Sequence, residues 1–247
     1  MVGSKALVAL LLAVSGATAH GFVKSITVGG ISYPGFDPTI HPGLPQPPAV
    51  AGWTTNATDL GFVEPNNAGT PDIICHKQGS PGQASIDIRA GETLTIHWNS
   101  WPFSHKGPIL DYLALCNGNC STVDKSSLRF FKIAATALIR QNNAFGYWAS
   151  DQLIDNNFAW QVTIPANLLP GNYVLRHEII SLLTAYAPNG AQLHPQCINL
   201  RVSGPGYSIP RGTAGTSMYR ANDPGIIFAL NFYVDPYPIP GPPLAVT

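Results

Sequence analysis

His20 follows Ala17-Thr18-Ala19, which closes a segment carrying Lys5 and then the apolar run Ala6 to Val14. A charge, a short greasy stretch and small residues in that order make a secretory signal, with cleavage expected after Ala19. The apolar run is too short to span hydrocarbon, and no second stretch of ~18 apolar residues follows, so a membrane partner is not expected. Cleavage would leave His20 first, and a first-position histidine can give one metal two nitrogens, its free α-amine and ring Nδ1, in a six-membered chelate. No internal residue can do this. The amine has a reference pKa near ~8, so the metal must displace its proton, and affinity weakens as pH falls. A third nitrogen from a second imidazole completes the tetragonal set that Cu(II) prefers.

Of the other histidines, three have informative surroundings. His105 lies in Ser104-His105-Lys106-Gly107-Pro108, among residues that turn the chain after a strand-like run. A loop histidine there can face a ligand or simply be solvated. His177 shares strand parity with Leu175 and Ile179, which by itself suggests a core histidine with a hydrogen-bond partner. Gln192 and His194 are two apart and face the same way if the chain is extended, while Pro195 makes that segment an edge or a bulge. By spacing alone both are polar residues at a turn.

Four cysteines in an exported chain imply two disulfides. Pairing Cys116 with Cys120 leaves Cys75 for Cys197, one of three connectivities that the sequence permits. A four-cysteine zinc site fits poorly, because one short-spaced pair is not matched by another. Asn56-Ala57-Thr58 and Asn119-Cys120-Ser121 match the glycosylation sequon, and Asn56 is the candidate free of a cysteine.

These residues need elements to hold them. Phe22, Ile26 and Val28 alternate, as do Ala84, Ile86 and Ile88; Leu94, Ile96 and Trp98; Trp160, Val162 and Ile164; Tyr173 to Ile179; and Ile198, Leu200 and Val202. That is a strand period. Turn signals such as Ala90-Gly91 and Pro170-Gly171 separate the runs, and 24 glycines with 23 prolines stop short of a disordered composition,. The expectation is an all-β, loop-rich sandwich with little helix, a single domain over residues 20–247 with no C-terminal cellulose-binding module. The segments Gly29 to Asn67 and Gly204 to Thr247 read as long ordered loops that carry binding surface. Charged residues are 11% of the chain and the formal net charge is zero. No basic face for nucleic acid is expected, and a neutral partner such as carbohydrate fits best.

Taken together, the blocks resemble the fungal lytic polysaccharide monooxygenases once classed as glycoside hydrolase family 61, now auxiliary activity family 9. They run from His20-Gly21 through Tyr33-Pro34-Gly35-Phe36-Asp37-Pro38, Asp72-Ile73-Ile74-Cys75-His76-Lys77, Trp101-Pro102 and Ser104-His105-Lys106-Gly107-Pro108 with Tyr112-Leu113-Ala114. Leu175-Arg176-His177-Glu178-Ile179-Ile180, Asn189-Gly190-Ala191-Gln192, Pro195 to Leu200 and Ile239-Pro240-Gly241-Pro242 complete the set. The resemblance implies an immunoglobulin-like or fibronectin-like sandwich with a flat copper-bearing face. It implies one copper held by His20 and His105, His177 and Gln192 beside the metal where oxygen species bind, and disulfides Cys75–Cys197 and Cys116–Cys120. It also implies oxidative cleavage of β-1,4-glucan at C1 or C4, using O₂ or H₂O₂ and electrons from an external donor. A secreted monomer acting on cellulose is the expected setting.

The sequence departs from that family at one point. The family usually has a tyrosine two residues after the glutamine, axial to copper; here the position is His194. A histidine there can bind copper axially, swing away, or close the oxygen site and leave a copper- or glycan-binding protein without turnover. For substrate contact the first choice is Tyr237, before Ile239-Pro240-Gly241-Pro242, with Tyr33 second; Trp53, Trp98, Trp101 and Trp160 are expected in the core. A glycoside hydrolase is the rival enzyme, but it needs two carboxyl groups flanking the bond. Only Glu64, Glu92, Glu178 and ten aspartates are available. None sits in an acid/base motif, and Glu178 beside Arg176 is expected on a solvated side of its strand.

Overall fold

The computed structural model describes residues 20–141, 144–231 and 236–246. The signal segment, residues 1–19, lies outside them. Two β-sheets dominate. The first has four strands in the order β2 (Ile31–Pro34), β1 (Val23–Val28), β4 (Thr93–Trp98) and β9 (Ala159–Thr163), all antiparallel. The second has six, in the order β12 (Thr213–Ala214), β6 (Arg129–Thr136), β5 (Ile109–Leu115), β10 (Gly171–Ser181), β11 (Gln192–Ser203) and β3 (Ile86–Arg89). Only the β11–β3 pairing in it is parallel. A small ribbon pairs β7 (Leu138–Arg140) with β8 (Tyr147–Trp148). Helix is confined to α1 (Asp72–Cys75), α2 (Ala149–Asp155) and short 3₁₀ turns.

In β4 and β9, and in β1 from Ile26 onward, every second residue is buried, because one face meets the core and the other meets water. Ile26, Ile96, Trp98 and Val162 from this sheet pack against Leu113, Leu175, Ile179 and Leu200 from the larger one. The larger sheet is covered on both faces. Its outer face carries Leu110, Tyr112, Val174, Ile180 and Leu193, packed against Trp53, Val63, Ile73, Ile74, Phe228 and Tyr237 from loops and α1. Central strand β5 is therefore buried along almost its whole length and has no alternation to betray it, as expected for a strand with both faces covered.

This second cover corrects two expectations. The polar side of β10 is not solvated: Arg176 and Glu178 are both fully buried and form a bidentate pair at 2.8 Å. Arg176 also donates to the carbonyls of Ile73 and Ile74, and the Tyr219 hydroxyl donates to Glu178 at 2.5 Å. The C-terminal segment is not chiefly a binding surface either, since Met218, Tyr219, Ile226, Phe228 and Tyr237 are buried on the outer face. Disulfides Cys75–Cys197 and Cys116–Cys120 are formed. The first ties α1 to β11 beneath this cover.

Candidate metal centre

One end of the sandwich gathers the histidines. β1 and β4 are antiparallel with Val23 opposite Trp98, so the residues before β1 lie beside the loop after β4. Phe22 N donates to Asn99 Oδ1 (2.8 Å) and Asn99 N to the Phe22 carbonyl (3.0 Å). A Cβ on Gly21 would stand 2.0 Å from the Ser100 carbonyl oxygen, so glycine is required for His20 to reach this position. On the larger sheet Ile109 lies opposite Ile179, and Ser181 opposite Gln192. The start of β11 is thus brought to the same end.

His105 is fixed by the loop between β4 and β5. Its amide donates to the Pro102 carbonyl (3.0 Å), Trp101 Nε1 donates to the His105 carbonyl (2.8 Å), and His105 Nδ1 contacts Ser104 Oγ at 3.0 Å. With Nδ1 engaged by Ser104, Nε2 is the nitrogen free for a ligand. The loop is pinned behind it, where Lys106 pairs with Asp151 at 2.6 Å and Gly107 N donates to Ser150 Oγ at 3.0 Å.

The His20 and His105 rings stand 4.8 Å apart, nearly perpendicular at 83°. Nε2 of His20 meets Gln192 Oε1 at 2.7 Å. An amide oxygen only accepts, so the proton is on Nε2 and the lone pair on Nδ1, which is left free for a ligand. The His194 ring is 4.6 Å from that of His20, with Trp101 at 5.0 Å and Phe62 at 5.9 Å. All three histidines are buried, and Nε2 of His194 has no hydrogen-bond partner among the described residues. Burial pulls His105 down to about 4, with nearby His20 adding to the effect. Burial likewise lowers His20, against the Gln192 contact, and holds His194 well below the ordinary imidazole value. The imidazoles are therefore neutral lone-pair donors near neutral pH.

These residues fit a metal that is also held by a backbone amine. Among the described residues no three His, Cys, Asp or Glu side chains form a finished cage. Two neutral imidazoles and a backbone amine would be a different donor set, one that side chains alone do not display.

A family model described as Auxiliary Activity family 9, formerly GH61, matches residues 20–237. The chain belongs to this family. It is 54% identical over 226 residues to AA9 family lytic polysaccharide monooxygenase A of Malbranchea cinnamomea, covering 92% of this chain and 68% of the relative. It is 53% identical over 243 residues to monooxygenase F of the same organism, covering 98% of both. The solved extended catalytic domain of H. jecorina LPMO9A matches with a TM-score of 0.88 and 47% identity, over 92% of this chain and 94% of that one. The chain is accordingly a lytic polysaccharide monooxygenase, an oxidoreductase on a β-sandwich.

Three expected site residues are elsewhere. His177 lies inside the sandwich and is fully buried. Trp98 Nε1 donates to its Nε2 (3.0 Å), and its Nδ1 meets Asp111 Oδ1 at 2.7 Å. An indole N–H only donates, so the proton is on Nδ1 and neither nitrogen is left to face the centre. Tyr237 is buried: its ring packs on Trp148 and Phe228 and its hydroxyl donates to the Gly225 carbonyl. Tyr33 is on strand β2, half-buried against the sandwich core rather than on a loop at the metal end. The four tryptophans named as core residues are buried. Asn56 is exposed on its loop.

Sequence reasoning missed Ser104, Phe62 and the placement of Trp101 beneath all three imidazoles. The turn-forming run around His105 held a signal for Ser104; nothing marked Phe62. It also missed the exposed aromatic side of the site. Phe103 (71% exposed), Phe145 (52%) and Tyr186 (68%) line an apolar depression of about 780 Å³ with Leu183 and Leu230. Ser104 belongs to both this depression and the contact that fixes His105.

Proposed function

We propose that this chain, secreted and cleaved after Ala19, acts as one catalytic unit over residues 20–247 and breaks β-1,4-glucan chains such as cellulose with one bound copper. The observation that carries the reading is the convergence of His20 and His105, rings 4.8 Å apart, with Gln192 and Ser104 on their outer nitrogens. His20 would contribute its freed amine and Nδ1, and His105 its Nε2, the nitrogen set that suits copper. Copper held by these residues would supply one-electron redox chemistry toward O₂ or H₂O₂, with electrons from an external reductant.

The protein's own residues do the positioning. Gln192 holds the His20 tautomer, Ser104 holds the orientation of the His105 ring, and Trp101 and Phe62 pack against the rings and exclude water,. A neutral, hydroxyl-rich chain offers flat apolar sugar faces. Phe103, Phe145 and Tyr186, exposed around the depression that Ser104 also lines, replace Tyr237 and Tyr33 as the surface that stacks on them,. Replacing Phe103 or Tyr186 with alanine should weaken cellulose pull-down several-fold while copper binding stays unchanged.

The test is incubation of the copper-loaded mature chain with amorphous cellulose and ascorbate, with and without H₂O₂, followed by mass spectrometry of soluble products. Aldonic-acid or C4-oxidised oligosaccharides that require copper and reductant are expected, and they also give the regioselectivity. Unoxidised sugars alone would indicate hydrolysis. No products from a copper-loaded chain would favour the second reading, a copper- or glycan-binding protein without turnover, for which His194 is the specific observation.

A further inference from the structure

The fold presents the amides of Asn56-Ala57-Thr58 and Asn119-Cys120-Ser121 differently. Asn56 Nδ2 is engaged, donating to Gln78 Oε1 at 2.6 Å, on the loop that continues to Phe62 at the His20 ring. Asn119 is exposed in the turn that follows β5. Its Oδ1 accepts from the Ser121 amide at 3.0 Å, an Asx turn that commits the acceptor side of the carboxamide to the chain. Its Nδ2 is left without a protein partner among the described residues. Cys120, the middle residue of the sequon, is buried in its bridge with Cys116 and does not cover the amide. A Cβ added at neighbouring Gly118 would meet nothing within 4 Å, so the space beside the turn is open.

The turn also lies away from the candidate metal centre. β5 starts at Ile109, just after the His105 loop and opposite Ile179 near the end of β10, and finishes at Leu115, opposite Tyr173 near the start of β10. Its seven residues rise ~3.3 Å each, which puts the turn roughly 20 Å from the histidine end. Asn172 Nδ2 donates to the Gly118 carbonyl at 2.8 Å and pins the turn to β10. We propose that Asn119 carries an N-linked glycan, on the end of the sandwich opposite the candidate metal centre. The bond formed joins Asn119 Nδ2 to the anomeric carbon of an oligosaccharide carried on a lipid diphosphate. The bond broken is that carbon's bond to phosphate; the lipid diphosphate leaves, and a base of the transferase takes the amide proton. A bulky glycan at this end keeps clear of the exposed aromatics Phe103 and Tyr186, so a flat substrate can still meet the histidine end,. The proposal rests on the export expected from residues 1–19 and is independent of the copper reading.

The experiment secretes the full chain from a fungal host and releases N-glycans from the purified protein with a peptide N-glycosidase in heavy-oxygen water. Each formerly modified asparagine is then read by mass spectrometry as a labelled aspartate. Label at residue 119 is expected, in a chain whose first residue is His20. Ser121→Ala removes the hydroxyl that the sequon requires but keeps the Asn119 side chain, both cysteines and the amide of the turn. It should abolish the label at residue 119 and leave copper affinity unchanged. The wild-type readout needs no variant, so a poorly secreted Ser121→Ala does not spare the proposal. Unlabelled Asn119 in a secreted chain beginning at His20, whether or not Asn56 is labelled, would overturn it while leaving export in place. Label that persists in Ser121→Ala would come from spontaneous deamidation and would overturn it too. A chain that keeps residues 1–19 and carries no label would overturn the export reading as well.

Discussion

His177 and His194 lie on neighbouring strands, β10 and β11, and face the same side of their ladder: His177 is opposite Gln196, and two rungs along Ile179 is opposite His194. Both are buried. His177 has Asp111 on one nitrogen and Trp98 on the other, whereas His194 has an orphaned Nε2 beside His20. Burial and parity therefore do not separate a satisfied histidine from an unsatisfied one. The inventory of hydrogen-bond partners does.

The comparison is broken most forcefully at His177. Replacing it with phenylalanine leaves the Asp111 carboxylate buried with only Trp160 Nε1 at 3.2 Å. Denaturant unfolding should show a loss of about 3 kcal/mol or more. Any folded fraction should bind copper with an unaltered spectrum. A copper spectrum that changes in folded His177→Phe would put that residue back at the centre.

A shift of similar size comes from pH. Burial is the main cause that lowers His76 to about 4, so the unfolded chain, titrating near 6.5, takes up its proton first as pH falls. Stability present above pH 6.5 is then lost progressively toward pH 4, about 3 kcal/mol from His76 alone. His105 and His194, both lowered, act in the same direction. Denaturation midpoints of the metal-free protein at pH 7 and pH 4.5 check the sign. Equal midpoints would mean that these imidazoles are not buried neutral.

His194→Phe sharpens the comparison from the other side. Removing an unpaired buried nitrogen while keeping a ring should leave metal-free stability unchanged or raise it by about 1 kcal/mol. A loss approaching that of His177→Phe, read by the same denaturation, would show a satisfied structural histidine. The smallest effect on stability is expected at Gln192→Leu, within about 0.5 kcal/mol. Copper affinity should nonetheless fall roughly tenfold by titration, because nothing then holds the His20 tautomer.

Much of the sandwich was legible in the sequence because β1, β4 and β9 each have one wet and one dry face. β5 and β6 were not, since loops and α1 cover the outer face of their sheet and erase the alternation. The same cover hid the burial of Arg176, Glu178 and Tyr237, because a proline-rich segment looks exposed until something is found beneath it. In the candidate site, His20 was singled out by the expected cleavage and chelate chemistry and His105 by its matching block, and the structure brings their rings together. His177 was misplaced for the same kind of reason: it sits in a matching block, but a block fixes neighbours in sequence, whereas a role at the metal depends on which end of the strand the residue occupies.

The central claim is that the amine of His20 holds the metal together with two side chains. The direct measurement is a Cu(II) titration of the chain beginning at His20 against the same chain with one glycine added before it. One tightly bound copper is predicted for the first, and a loss of at least ~100-fold in affinity for the second, because an amide nitrogen cannot replace the amine in the chelate. Equal affinity in the two chains would contradict the claim and place the copper elsewhere.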